Sequence, residues 1–67
     1  MTKVNKSLGD KIRKFRKYRS LVQEEVAHRA KLDYSYYNQI ENGRRNPSVN
    51  ALTRIAKVLE VSLKDLF

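Results

Sequence analysis

An all-α fold of five short helices is what this sequence predicts, and three observations predict it. Apolar residues recur three and four positions apart in several separate segments. No run alternates apolar and polar residues with the period of a strand. Residues that start or stop helices fall between the segments, as they should if each segment is its own helix. The 67 residues are enough for one domain, 1–67, with a single small core.

Taken in order, residues 1–6 read as a flexible basic arm with Lys3 and Lys6. Ser7 and Asp10 have capping-box spacing, which predicts a first helix from about Leu8 to Arg19. Leu8, Ile12 and Phe15 form its apolar stripe, Arg16 borders that stripe, and Arg13, Lys14 and Lys17 point elsewhere. Ser20 either closes this helix or caps the next through Ser20-x-x-Gln23, and in both cases a second helix starts within two residues of Val22. Val26, Ala27 and Ala30 give it a face suited to burial.

After the interruption Lys31-Leu32-Asp33, Asp33 is the N-cap of a third helix running from Tyr34 to Glu41 or Asn42, with Tyr37 and Ile40 turned inward. Gly43 is placed to end it in left-handed geometry. Ser48, behind Pro47, caps a fourth helix whose core stripe is Val49, Leu52, Ile55, Ala56 and Leu59. Ser62 with Asp65 starts a short fifth helix ending in Leu66-Phe67.

Composition excludes several functions. With no cysteine there is no disulfide and no thiolate zinc site, and His28, the single histidine, has no companion ligand, so neither metal nor cofactor is expected. Neither a membrane-length apolar run nor a signal segment is present, which points to the cytoplasm and away from a membrane. No nucleophile-base constellation, carboxylate pair or phosphate-binding glycine loop supports an enzyme. What stands out is charge: 15 Lys and Arg against 7 Asp and Glu give a net +8, the footprint of a polyanion partner.

Two short helices joined by a three-residue turn, with the small Ala27 where they cross and Leu32 plugging the gap, make a helix-turn-helix, whose second helix enters the DNA major groove. The run Gln23-Glu24-Glu25-Val26-Ala27, then Leu32, then Ile40-Glu41-Asn42-Gly43-Arg44-Arg45-Asn46-Pro47-Ser48, resembles the Cro/CI-type (XRE-like) family of bacterial and phage repressors. The similarity covers the chain from about Leu8 to Phe67 and implies a lambda-repressor-like arrangement of the five helices. Ser20 and Lys31 depart from it, since the family commonly has Gly at both positions. Lys31 is therefore expected either to adopt positive φ at about 1 kcal/mol of strain or to sit in a turn of different shape.

The resemblance implies roles for the polar residues. Tyr34, Ser35, Asn38 and Gln39 occupy the positions expected to meet base edges, with Gln39 suited to a bidentate contact with adenine. Gln23 is the family's phosphate clamp, and Asn42, Arg44 and Arg45 lie over the opposite backbone, with solvent the alternative for Arg45. Tyr36 flanks the buried face and is expected to send its hydroxyl to a phosphate. Arg16 and Glu41 match an arginine-glutamate pair that holds the first and third helices in register.

The expected function is a sequence-specific double-stranded DNA-binding transcriptional regulator, most simply a repressor, acting as a homodimer on a two-fold symmetric operator. Val61, Leu63, Leu66 and Phe67 are expected to form the dimer surface, because they offer more apolar area than a small monomer can bury. RNA polymerase is a further partner if Glu24 and Glu25 form an activating patch, although capping and helix-dipole effects account for both. The alternative is nonspecific nucleic-acid or nucleoid binding.

Overall fold

The structure, a computed structural model, describes residues 3–67, with side chains from residue 5 onward. Four α-helices follow one another: α1 (Lys3–Tyr18), α2 (Gln23–Arg29), α3 (Tyr34–Glu41) and α4 (Val49–Leu59). The expected fifth helix is only a 3-10 turn, Leu63–Leu66, and no strand occurs among the described residues.

The largest departure from expectation is at the start of α1. The helix begins at Lys3, not near Leu8, so Lys3–Lys6 are helical rather than an arm, and Met1 and Thr2 lie outside the described residues. Ser7 consequently sits inside the helix and caps nothing. The carboxylate of Asp10 reaches Lys6 (3.5 Å) and Arg13 (3.7 Å) instead, pairs at helical spacing that favour continuing the helix in both directions.

All four α-helices close in the same way. The amide after the closing residue donates back to a carbonyl five residues earlier: Leu21 to Arg16 (3.1 Å), Leu32 to Ala27 (2.9 Å), Arg44 to Gln39 (2.9 Å) and Val61 to Ala56 (3.0 Å). The closing residue has positive φ each time: 57° at Ser20, 57° at Lys31, 73° at Gly43 and 58° at Glu60. Only one of the four is glycine. Ser20 thus ends α1 and does not cap α2, whose N-cap is Val22, without a side-chain bond. Lys31 takes the strained conformation, and the turn keeps its expected shape. Asp33 and Ser48 cap α3 and α4 by accepting from the amides of Tyr36 (3.3 Å) and Ala51 (3.0 Å).

The core runs through Leu8, Ile12, Val26, Ala27, Ala30, Tyr37, Ile40, Leu52, Ile55, Ala56, Leu59 and Leu66. Val49 is not part of it. It is 74% exposed, because the buried stripe of α4 starts at Ala51 and Leu52 and Val49 shares its face with the exposed Thr53. Leu66, expected on a dimer surface, is 1% exposed. In a 3-10 turn residues three apart eclipse one another, so Leu63 and Leu66 both turn inward while Phe67 remains outside.

α3 packs against α1 and α2, and α2 packs against α4. The α1–α3 approach is close enough to need a residue without a side chain. A Cβ on Gly9 would lie 2.5 Å from the Glu41 carbonyl oxygen and 2.6 Å from that of Ile40.

Candidate nucleic-acid interface

α3 has two unlike faces. Tyr37 and Ile40 are 0% and 1% exposed, whereas Tyr34 and Ser35 are exposed and Asn38 and Gln39 half-exposed on the outer side. The helix-turn-helix geometry expected from Ala27 and Leu32 is present: α2 packs against α3, Ala27 is buried in the core and Leu32 packs half-buried against it. The four residues expected to read bases therefore lie on one accessible ridge.

They are not equally free. Gln39 Nε2 donates to Ser35 Oγ (3.3 Å), and Arg45 Nε donates to Gln39 Oε1 (3.2 Å), so Ser35, Gln39 and Arg45 form a surface cluster. Tyr34 Oη and Asn38 Nδ2 both donate to Gln23 Oε1, at 3.2 and 2.9 Å. Asn38 Oδ1 in turn accepts from Asn42 Nδ2 (3.1 Å). Gln23 was expected to face a phosphate. Its carboxamide instead bridges α2 to α3, leaving one amide hydrogen outside these bonds.

Tyr36 is also engaged. Its hydroxyl accepts from the Ser48 amide (3.3 Å), and the Arg45 guanidinium lies 5.5 Å from its ring centroid, within cation–π range. The tyrosine ties α3 to the loop before α4, and its hydroxyl proton is still available to a phosphate. Arg44 and Asn42 are exposed at the exit of α3, and the Arg44 guanidinium makes no hydrogen bond or ion pair among the described residues. His28 is exposed, and among the described residues no cluster could hold a metal.

Beneath the ridge lies a buried carboxylate. Glu41 is 1% exposed, and Arg16 grips it with two bonds, Nε to Oε2 at 2.6 Å and Nη2 to Oε1 at 3.1 Å. Gln23 Nε2 (2.9 Å) and the Tyr37 hydroxyl complete its shell. Burial pushes the Glu41 carboxyl up, but the bonds from Arg16, Tyr37 and Gln23 outweigh it and hold the group below the usual carboxylate range. Tyr37 is pushed well above the ordinary phenol range, first by burial and then by the adjacent carboxylate. The Arg16–Glu41 pair expected from the sequence is therefore present, with Glu41 sealed in and Arg16 partly buried.

Two residues of this site escaped the sequence reading. Arg13, expected only to point away from the apolar stripe, donates from Nη2 to the Glu41 carbonyl (3.1 Å) and brings Nε within 3.7 Å of its carboxylate. The available signal was its position three residues before Arg16, on a neighbouring part of the helix surface. Gly9 carried a signal too, since a glycine inside a helix is unfavourable unless something comes close.

The sequence profile of the helix-turn-helix family matches residues 12–66. The chain belongs to this family. The control protein C.MunI of a Mycoplasma species is 40% identical over 68 residues, a match spanning 100% of this chain and 92% of the relative. The restriction-modification controller C.AhdI from Aeromonas hydrophila superposes with a TM-score of 0.91 at 32% identity, covering 94% of this chain and 96% of that one. The controller C.Esp1396I, solved as a tetramer in complex with its natural 35 base-pair operator, superposes at 0.85 with 28% identity, covering 98% and 97%. The protein is a transcriptional regulator of this helix-turn-helix family, not an enzyme. No helix among the described residues is long and apolar enough to cross a membrane.

Proposed function

We propose that this regulator is a cytoplasmic repressor that binds a two-fold symmetric operator as a homodimer, with its four helices and closing turn used in the lambda-repressor-like manner. One observation carries the reading: the polar ridge Tyr34, Ser35, Asn38 and Gln39 is accessible while Tyr37 and Ile40 of the same helix are sealed in the core. Side chains on that ridge read base edges. Arg44, Arg45, Asn42 and the Tyr36 hydroxyl contact phosphates, which position the helix without reading sequence. Gln23 contributes by orienting Tyr34 and Asn38, with its remaining amide hydrogen directed to the backbone. The operator complex of the similar C.Esp1396I supports the mode of binding.

The dimer surface is Val61 and Leu63, half-buried, together with Phe67, 67% exposed. Leu66 has no area left to contribute. A symmetric dimer of this kind sets its two α3 helices about 34 Å apart, one turn of DNA. Glu24 and Glu25 at the start of α2 are the surface on which RNA polymerase would be met if the protein also activates.

Selection of bound fragments from random DNA, at a stated salt concentration, tests the proposal. The expected product is a dyad-symmetric site bound roughly 10³–10⁷-fold more tightly than random sequence. Similar affinity for unrelated sequences would instead establish nonspecific nucleic-acid binding.

A further inference from the structure

The side chains between the buried carboxylate and the outer ridge form one directed chain of hydrogen bonds. Asn42 Nδ2 donates to Asn38 Oδ1 (3.1 Å), and Asn38 Nδ2 donates to Gln23 Oε1 (2.9 Å). The Tyr34 hydroxyl donates to the same oxygen (3.2 Å), and Gln23 Nε2 donates to Glu41 Oε1 (2.9 Å). Every donor points toward the charge.

That direction is imposed from below. An ionised carboxylate only accepts hydrogen bonds, and the Arg16 fork holds both oxygens of Glu41 in its ionised form. The end of the Gln23 amide that meets Glu41 must then be its nitrogen. Reversing the amide would set two oxygens against each other at 2.9 Å with no proton between them. The Gln23 oxygen consequently faces α3, where it can only accept. Tyr34 must give its single hydroxyl proton inward, and what it keeps for a ligand is lone pairs.

The geometry points to Glu41, acting through Gln23, as the positioning residue that sets the hydrogen-bond polarity of the reading face, making Tyr34 an acceptor that selects a major-groove amino group. This rests on the reading of α3 as the helix that enters the groove. In that groove only cytosine N4 and adenine N6 are donors, whereas guanine and thymine present acceptors and would oppose the tyrosine oxygen. Ser35 and Gln39 lie outside the directed chain, and Asn38 spends Nδ2 on Gln23 and Oδ1 on Asn42 within it, so the selectivity assigned here is that of Tyr34, one base position in each half-site. Tyrosine alone is tolerant in its hydrogen bonding. Here it is made selective by a charge it does not touch.

The test uses the full chain and its selected operator, with duplexes in which one exocyclic amino group at a time is deleted, cytosine being replaced by 2-pyrimidinone and adenine by purine. The unaltered protein is expected to lose about tenfold in affinity at one position per half-site, near the lower end of what one good base contact discriminates. Tyr34→Phe should no longer sense that deletion. Gln23→Met, similar in length but without an amide, releases the Tyr34 proton and should accept guanine or thymine there with less than about a threefold loss. A preference for guanine or thymine by the unaltered protein at the position Tyr34→Phe identifies would overturn the assignment, as would Gln23→Met retaining the amino preference. On the unaltered protein, nuclear Overhauser contacts from the Gln23 amide protons should run to Tyr37 and Arg16. Contacts to the Tyr34 ring alone would mean the reverse orientation and overturn the assignment without any variant. Loss of all sequence preference is a different result, which removes the parent reading of α3 and this inference with it.

Discussion

The two ends of α3 are held by different physics. At its C-terminal end Glu41 is buried under a two-bond Arg16 fork, with Arg13, Gln23 and Tyr37 around it and the backbone of Gly9 pressed against its carbonyl. At its N-terminal end the helix is fixed by a single exposed cap, Asp33 accepting from Tyr36 at 3.3 Å, and by the bonds of Tyr34 and Asn38 to Gln23. A buried ion cannot lose one partner without leaving the other uncompensated, whereas an exposed cap can be replaced by water at small loss. The helix is thus anchored at the end that leaves the proposed interface and tunable at the end that would enter it.

Removing the anchor has the largest expected effect. Glu41→Ala leaves the partly buried Arg16 guanidinium with the Leu21 carbonyl (2.8 Å) and no counter-charge and should cost about 3–5 kcal/mol. Domains of this length hold only about 3–10 kcal/mol in all, so the denaturation midpoint should fall severely or the cooperative transition vanish. An unchanged midpoint would show the pair to be superficial. The same carboxylate predicts a pH dependence. Its value is lowered in the folded state, so its contribution is complete above the unfolded glutamate value of about 4.3 and is lost as pH falls through the lower folded value. Unfolding free energy should therefore rise with pH across that acidic window, and Glu41→Gln should lack this part of the rise.

The next effect tests the close approach. Gly9→Ala places a Cβ 2.5 Å from a backbone oxygen that has no side-chain freedom to yield. Alanine is the better helix former by about 1 kcal/mol, yet overpacking of about 1–3 kcal/mol should win, and thermal unfolding should show net destabilisation. A more stable variant would mean that α1 slides on α3.

At the other end, Asp33→Ala removes one cap and should cost about 1 kcal/mol. That is well below the loss at Glu41, and the ratio of the two, measured in the same denaturant series, is the comparison in numbers. Equal losses would show that the N-terminal end is no more tunable than its opposite.

Most of this asymmetry was legible in the residues themselves. Asp33, Gly43 and Ser48 are local signals acting over three or four residues, and Tyr37 and Ile40 follow from helical spacing, so these caps and this face came out as expected. The Arg16–Glu41 pair came from family resemblance rather than pattern, because the two residues are 25 positions apart and no local rule joins them. What stayed hidden depended on tertiary contact or on competing local interactions. Asp10 could cap a helix or pair with Lys6 and Arg13, and pairing prevailed. Leu66 looked free until the 3-10 turn carried it inward. Gln23 looked like a surface amide until α3 was laid across it.

The smallest expected effect concerns the turn between α2 and α3. Lys31 sits at φ 57° and precedes the Asp33 cap by two residues, so its strain is borne next to the tunable end. Ser20 and Glu60 share the conformation, but Glu60 also pairs with Arg19 at 3.1 Å, and a glycine there would remove that contact as well. Lys31 offers the cleaner test, because only its backbone is engaged, the amide donating to the His28 carbonyl at 3.1 Å and the carbonyl accepting from Arg54 Nη1 at 3.3 Å, and glycine keeps both groups. Lys31→Gly relieves strain of about 1–2 kcal/mol but adds about 0.4–1 kcal/mol of unfolded-chain freedom. The net gain should be under about 1.5 kcal/mol, read as a modest rise in melting temperature with DNA selectivity unchanged. A fall in stability would mean that the lysine side chain, not its backbone, is what holds the turn.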